Sequence, residues 1–203
     1  MRDVYTIGHS NHSMATFIEL LILHGVHAVA DVRSHPYSRF NPQFNRKSLS
    51  ASLETAGISY AFLGRELGAR PADDACYIDG KVQYDLLART SLFQEGLARV
   101  AGNAASQRLA LMCAEKDPLT CHRAILVCRH LEDRGITTQH IREDGRLESH
   151  DEVLARLLIE IGIEERDMFR SREELIGEAY RQRGQQIAHK TKHHRPDGET
   201  RGR

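Results

Sequence analysis

With 203 residues and 28 basic side chains against 28 acidic ones, the chain can bury one substantial core of about 150 residues plus an appendage, and no global charge steers it to nucleic acid or anionic membranes. No apolar run approaches the roughly 18 residues of a membrane span, and no secretory core precedes Met1-Arg-Asp-Val, so a soluble cytoplasmic protein is expected. The four cysteines, Cys76, Cys113, Cys121 and Cys128, lack the paired spacing of a zinc ribbon and are expected to be free thiols.

In chain order, Val4 to Ile7 predicts a strand that runs into Gly8-His9-Ser10. Ser13 then caps a helix with Phe17, Leu20, Leu21 and His24 on one face, stopped by Gly25. Val26 to Ala30 predicts a second strand delivering Asp31-Val32-Arg33 to its carboxyl end, followed by a polar and aromatic loop to Arg46. A helix opened by Ser48 and closed by Gly57 leads to a third strand, Ile58 to Phe62. Leu63 to Tyr84 is irregular, and a loop of that length in a compact domain is usually functional or mobile. Helical spacing resumes from Asp85 to Val100, with a break near Thr90-Ser91. Leu109 to Cys113 predicts a buried fourth strand, Ala124 to Leu131 a helix ended by Gly135, and Ile136 to Ile141 a fifth strand before an Asp144-Gly145 turn.

This alternation argues for an α/β fold: an open, mainly parallel five-stranded sheet with helices on both faces, residues 1–150, plus a C-terminal helical extension over 151–181. From Arg181 onward basic residues dominate with little apolar surface to bury, so 182–203 is expected to be a disordered basic tail.

The reactive side chains gather at the predicted strand ends, where ligands bind in open parallel sheets. Glu115, just after the fourth strand, is placed to act as general acid or base, or to orient Arg33 or Arg123. Asp31 with Arg33 is either part of a site or a local ion pair, and His9 with Ser10 either contacts an anion and moves protons or is ordinary capping chemistry. Arg33, Arg39, Arg46, Arg65, Arg70 and Arg123 sit in predicted loops or helix starts on the same edge and suit phosphate or carboxylate recognition. Cys121, beside His122 and Arg123, has electropositive surroundings that lower a thiol pKa, whereas Cys113 reads as a small core residue. Neither cysteine is followed by the glycines and spaced arginine of a phosphatase loop, and the cysteine loop that accompanies an Asp-Val-Arg tripeptide in sulfurtransferase domains is absent. Metal binding through His9, His12, Cys121 and His122 finds no support in their spacing, and nothing names a cofactor or an oligomeric state.

Taken together, Thr6-Ile-Gly-His-Ser10, Asp31-Val-Arg33-x-x-Pro36-x-Ser38-Arg39, Gly57-Ile-x-Tyr60, Leu67-Gly68, Cys113-Ala-Glu115-x-Asp-Pro118-x-x-Cys121-His-Arg123 and His140-Ile resemble the domain of unknown function 488 family over about residues 3 to 150. The resemblance implies a shared α/β domain with a site built from these strand ends. It implies no reaction.

The leading functional expectation is an enzyme acting on an anionic, phosphate-bearing substrate, a nucleotide or nucleic acid, by hydrolysis or group transfer, with N-glycosidic cleavage as one form. Glu115, Asp31, His122 and His9 would carry proton chemistry, and Ser10, Arg33, Arg39, Arg123 and Cys121 would hold the substrate. The alternatives are a non-catalytic module binding nucleic acid or protein, and a thiol or redox-dependent protein using Cys121. The sharpest expectation is geometric: the loops after four strands face one crevice, and Arg33, Arg123 and Glu115 share one pocket walled by His122 or Cys121, with the His140 strand end nearby.

Overall fold

Short apolar runs buried on both faces form the centre of the molecule: β1 (Val4–Gly8), β2 (Ala28–Asp31) and β6 (Leu109–Cys113) contain no exposed residue. Such runs suit central parallel strands, which are covered on both sides. The structure, a computed structural model, describes residues 3–164 and 169–191. With β3 (Ser59–Phe62), β7 (Thr138–Ile141) and β8 (Leu147–Ser149) the strands order as β3-β2-β6-β1-β7-β8, parallel throughout except for β8. The sequence reading stopped at five strands. The sixth arises because the turn at Asp144-Gly145, with Gly145 at φ 81°, folds Leu147–Ser149 back onto β7 as a hairpin.

Side chains alternate across the sheet, as period-two geometry requires. Ala30, Val32, Leu111 and Cys113 face α4 (Ser91–Ser106) through Phe93, Leu97 and Val100. Val29, Ala110 and Met112 face α1 (Met14–Leu23) and α2 (Arg46–Thr55) through Phe17, Leu21, Leu49 and Leu53. Ser13 caps α1 by accepting from Thr16 N at 3.1 Å. Thr90 caps α4, which is why the expected helix breaks there: a short α3 (Tyr84–Leu87) precedes it. The irregular stretch before α3 contains a two-stranded hairpin, β4 (Tyr77–Ile78) with β5 (Lys81–Val82).

After β6 the chain runs through a short 3₁₀ turn, Pro118–Thr120, into a π-helix over Arg123–Cys128 and then α5 (Arg129–Glu132). All eight residues from Cys121 to Cys128 are buried. A π-turn widens a helix by one residue per turn and is often found at functional sites.

Beyond the sheet, α6 (His150–Ile161) and α7 (Arg172–Ile187) each begin with a capping box, Ser149 with Glu152 and Ser171 with Glu174. Their apolar faces pack on Leu119 and Ile125, so the extension shares a core with the π-helix. Asp117 fastens the loop after β6 to it by accepting from Arg142 at 3.3 Å and from Arg156 at 3.1 and 3.2 Å. Helix α7 runs past the expected boundary at 181, and the chain after it pairs with the β4–β5 hairpin: Val82 N donates to His189 O at 3.0 Å and Thr191 N to Gly80 O at 2.7 Å. The basic residues expected in a disordered tail beyond Thr191 lie outside the described residues. Among the described residues no helix is long and apolar enough to cross a membrane.

One topological detail positions the site. The chain leaves β1 toward β2 on one side of the sheet's middle, and leaves β6 toward β7 on the other. The carboxyl ends of the adjacent strands β1 and β6 therefore open a crevice, where ligands bind in doubly wound sheets. Gly8 sits at that opening because a β-carbon there would collide with the carbonyl oxygen of Glu115, which crosses directly over the end of β1.

Candidate functional site

A pocket of about 330 Å³ lies at this crevice. Its floor is Cys113, Glu115 and His122, and its rim carries Arg33, His35, Arg70 and His189. Glu115 is the one carboxylate among the described lining residues. Burial and the nearby Arg70 charge lower the pKa of His189. Arg33 and Arg70 are the two cationic side chains of this lining, and Glu115 its carboxylate.

The floor is held by mutual contacts. Cys113 and Cys121, both buried, donate to the same Glu115 oxygen, Oε2, at 3.0 and 3.1 Å. The same two sulfurs lie 3.7 and 3.9 Å from His122 Nδ1. Because His122 Nε2 sits 3.1 Å from the Val32 carbonyl, which can only accept, Nε2 carries a proton and Nδ1 faces the two sulfurs. Glu115 is exposed as a residue, yet its carboxyl turns inward; loss of water around that group raises its pKa, and the neighbouring Cys121 raises it further. Burial alone would raise the Cys121 thiol, but the hydrogen bond with Cys113, the Arg123 charge and His122 bring it well below the usual thiol range. Cys113 moves up in return, through its bond with Cys121 and through burial.

Arg123, expected to grip substrate, lies beneath the pocket rather than in it. It is fully buried, donating through Nη1 to Glu115 O at 2.6 Å, through Nη2 to Lys116 O at 3.1 Å and through Nε to Thr6 Oγ1 at 3.3 Å. Its guanidinium shapes the loop that carries Glu115. Asp31, expected as an acid or base, is equally withdrawn. Its oxygens accept from Arg33 Nε at 2.9 Å, Arg33 Nη2 at 2.7 Å, the Arg33 backbone N–H at 3.1 Å and the Tyr60 hydroxyl at 2.9 Å, and the residue is wholly buried. Asp31 therefore aims Arg33 at the pocket and takes no part in lining it.

His9 is a positioning group too. Its ring stacks on Phe44 at 4.4 Å, its Nε2 accepts from Arg33 Nη1 at 3.2 Å, and its Nδ1 donates to Ser10 O at 2.9 Å. Burial and the Arg33 charge lower its pKa to about 4, so the ring is neutral with both nitrogens occupied. That also removes it from the ligand set that sequence spacing had failed to support. Ser10 adopts φ 45° and bonds Asn11, outside the pocket. Arg39 is exposed and stacks over Phe40 at 4.7 Å, likewise away from it. Of the six loop arginines, Arg33 and Arg70 line the cavity.

His35, Tyr37, Tyr84, Ile187 and His189 are further lining residues that were not singled out from sequence. Ile187 and His189 arrive from the far end of the chain, and only the pairing of 189–191 with the β4–β5 hairpin brings them there. A sequence signal existed for His35 alone, inside the polar loop after Arg33.

Two groups of donor atoms fall within 4.8 Å of one another: Cys113, Cys121 and His122 at the pocket floor, and Cys128, His140 and His150 deeper in the fold. In the second group every ring nitrogen has a close partner. Thr6 Oγ1 lies 2.8 Å from His140 Nδ1, His140 Nε2 lies 3.0 Å from His150 Nδ1, and His150 Nε2 lies 2.7 Å from the Tyr180 hydroxyl. The His140 strand end is thus near the site in space but belongs to this buried relay.

Fold and site together define an α/β protein with a pocket at the carboxyl ends of its central strands, lined by Arg33, Arg70, Glu115, His122 and Cys113. The chain belongs to the family described as Domain of unknown function DUF488, whose model matches residues 13–129. That stretch contains β6, Glu115 and the Cys121-His122-Arg123 segment, while β1, β7 and both C-terminal helices lie outside it. Comparison with curated proteins and with solved structures gave no match.

Proposed function

We propose that the protein is an enzyme acting on a small anionic, phosphate-bearing substrate, of nucleotide type, by hydrolysis or group transfer. The observation that carries this reading is Glu115, the one carboxylate among the described lining residues, in a pocket that Arg33 and Arg70 also line. Arg70 and Arg33 would bind the anion, Arg33 being preset by its clamp to Asp31. Glu115 would transfer the proton, and N-glycosidic cleavage is one reaction that a lone carboxylate with anion clamps can serve.

Calorimetric titration with inorganic phosphate and a panel of nucleoside monophosphates, followed by product analysis, tests it. Arg70→Ala is expected to weaken binding about tenfold or more, roughly the worth of one charge-assisted contact. Glu115→Gln is expected to retain binding and lose turnover. Wild-type protein that binds no member of the panel, or binding indifferent to Arg70, would overturn the reading.

A thiol-dependent reading is favoured by one observation, the contact of two buried sulfurs with one carboxylate oxygen. In it Cys113 and Cys121 would lose two protons and two electrons to a peroxide-class oxidant and join as a disulfide. Intact mass after mild peroxide treatment checks this, through a loss of two hydrogens mapped to those cysteines.

A further inference from the structure

The floor cluster has a feature that neither an anion site nor a dithiol needs. Three soft or borderline donors converge from two separate segments of the loop region, and the imidazole among them has its Nδ1 turned toward both sulfurs by the backbone carbonyl that holds Nε2. We propose that Cys113, Cys121 and His122 are the protein ligands of one divalent, thiophilic metal ion of the zinc class, with Glu115 beside it.

The distances fit. Bonds of about 2.3 Å to sulfur and about 2.0–2.1 Å to nitrogen at a tetrahedral centre place sulfur and nitrogen roughly 3.6 Å apart. The two sulfur to Nδ1 separations here are 3.7 and 3.9 Å, close to the edges of such a tetrahedron. The Val32 carbonyl on Nε2 is the outer partner that metal-bound imidazoles characteristically have, since it fixes tautomer and ring angle. All three ligand residues are buried, so the site is prearranged by packing rather than assembled on a mobile surface.

Charge supports the same conclusion. Arg123 is fully buried; its guanidinium donates to two carbonyls and a hydroxyl, its backbone N–H donates to Cys121 Sγ at 3.4 Å, and its charge faces Cys121, Cys113 and Glu115. A buried cation needs a nearby counter-charge. Two thiolates and a dication sum to zero, which leaves the Glu115 carboxylate to balance Arg123. Binding would release the protons that the thiols carry in the metal-free state. Three protein ligands are also the number that leaves a fourth position open, and Cys113, Glu115 and His122 all line the pocket. The ligand geometry stands whether or not the anionic substrate proposed above is correct.

The deeper cluster of Cys128, His140 and His150 serves as the internal control, because its imidazole nitrogens are already engaged. The test is titration of the reduced, metal-stripped full-length protein with cobalt(II), then displacement by zinc(II). One equivalent is expected to bind, with the thiolate-to-cobalt charge-transfer band of a sulfur-ligated tetrahedral ion. Zinc should abolish that band and protect Cys113 and Cys121 from alkylation. Cys113→Ser and Cys121→Ser should each lose the band, whereas Cys128→Ser and Arg70→Ala should keep it. Should a variant fail to fold, the wild-type spectrum and zinc protection still decide. Absence of the charge-transfer band in wild type, a band unchanged in both serine variants, or alkylation of both thiols at the same rate with and without zinc would overturn the proposal. Failure of phosphate binding with the cobalt spectrum intact would instead remove the substrate reading alone.

Discussion

Two cysteine–histidine clusters meet at Arg123, and they differ in saturation rather than in composition. On one side, Thr6 accepts from Arg123 and passes its own proton toward His140, whose far nitrogen meets His150, which in turn reaches Tyr180. Every ring nitrogen in that relay has a partner within 3.0 Å, and neither His140 nor His150 lines the crevice pocket. On the other side, His122 Nδ1 has nothing nearer than two sulfurs at 3.7 and 3.9 Å, two thiols compete for one carboxylate oxygen, and a cavity opens above them. A filled hydrogen-bond chain rigidifies a core, whereas a partly filled one keeps capacity for a ligand.

The largest effect is expected where the clusters join. Arg123→Met removes a buried cation and orphans the carbonyls of Glu115 and Lys116, so a loss of about 3–5 kcal/mol is expected in urea unfolding. A loss under 1 kcal/mol would show that the guanidinium does not tie the two sides together.

Acid should separate the clusters next. Burial holds His150 at a pKa of about 4 and pushes His140 well below its ordinary value, so the folded relay stays neutral while the unfolded chain takes up protons below about pH 6.5. The unfolded state then binds more protons, and stability falls as pH drops from about 6.5 toward 4. For His150 alone the loss is on the order of 3 kcal/mol. Unfolding measured at pH 7 and pH 4.5 should show that slope, and His150→Gln should flatten it. Equal slopes in both proteins would assign the acid sensitivity elsewhere.

A smaller effect is expected at the relay's end. Tyr180→Phe leaves His150 Nε2 without its 2.7 Å partner and should cost about 1–2 kcal/mol, with cobalt binding at the pocket floor unaltered. Smallest of all, the exposed Arg70→Ala should leave stability within about 0.5 kcal/mol while weakening phosphate binding. A large stability change there would mean that Arg70 is structural.

Strand ends were legible in the sequence because the apolar runs of β1, β2 and β6 are short, dense and followed directly by polar residues. Glu115, Arg33 and His122 could be chosen on position alone. Whether a charged side chain faces cavity or core could not: Asp31 and Arg123 have the same sequence setting as their pocket-lining neighbours, yet both are fully buried and hydrogen-bonded within the fold. Cys113 was read as filler because strand alternation puts it in the core, and it does pack there, but its sulfur also reaches Glu115. The π-helix was hidden for a different reason. Eight consecutive buried residues show no amphipathic period from which helix pitch could be read. The hairpin contact that brings His189 to the rim is main-chain pairing, which leaves almost no mark on residue choice.

That last contact also sets an order of assembly. Ile187 and His189 leave the ribosome after every strand of the sheet and after both site cysteines, so a growing chain has its thiols and the Glu115 loop in place before the wall that shelters them has been made. Until α7 docks, the two sulfurs face the cell's small-molecule thiols and free metal ions with one side of their pocket missing, and capture of an ion at that stage would need no opening of the finished fold.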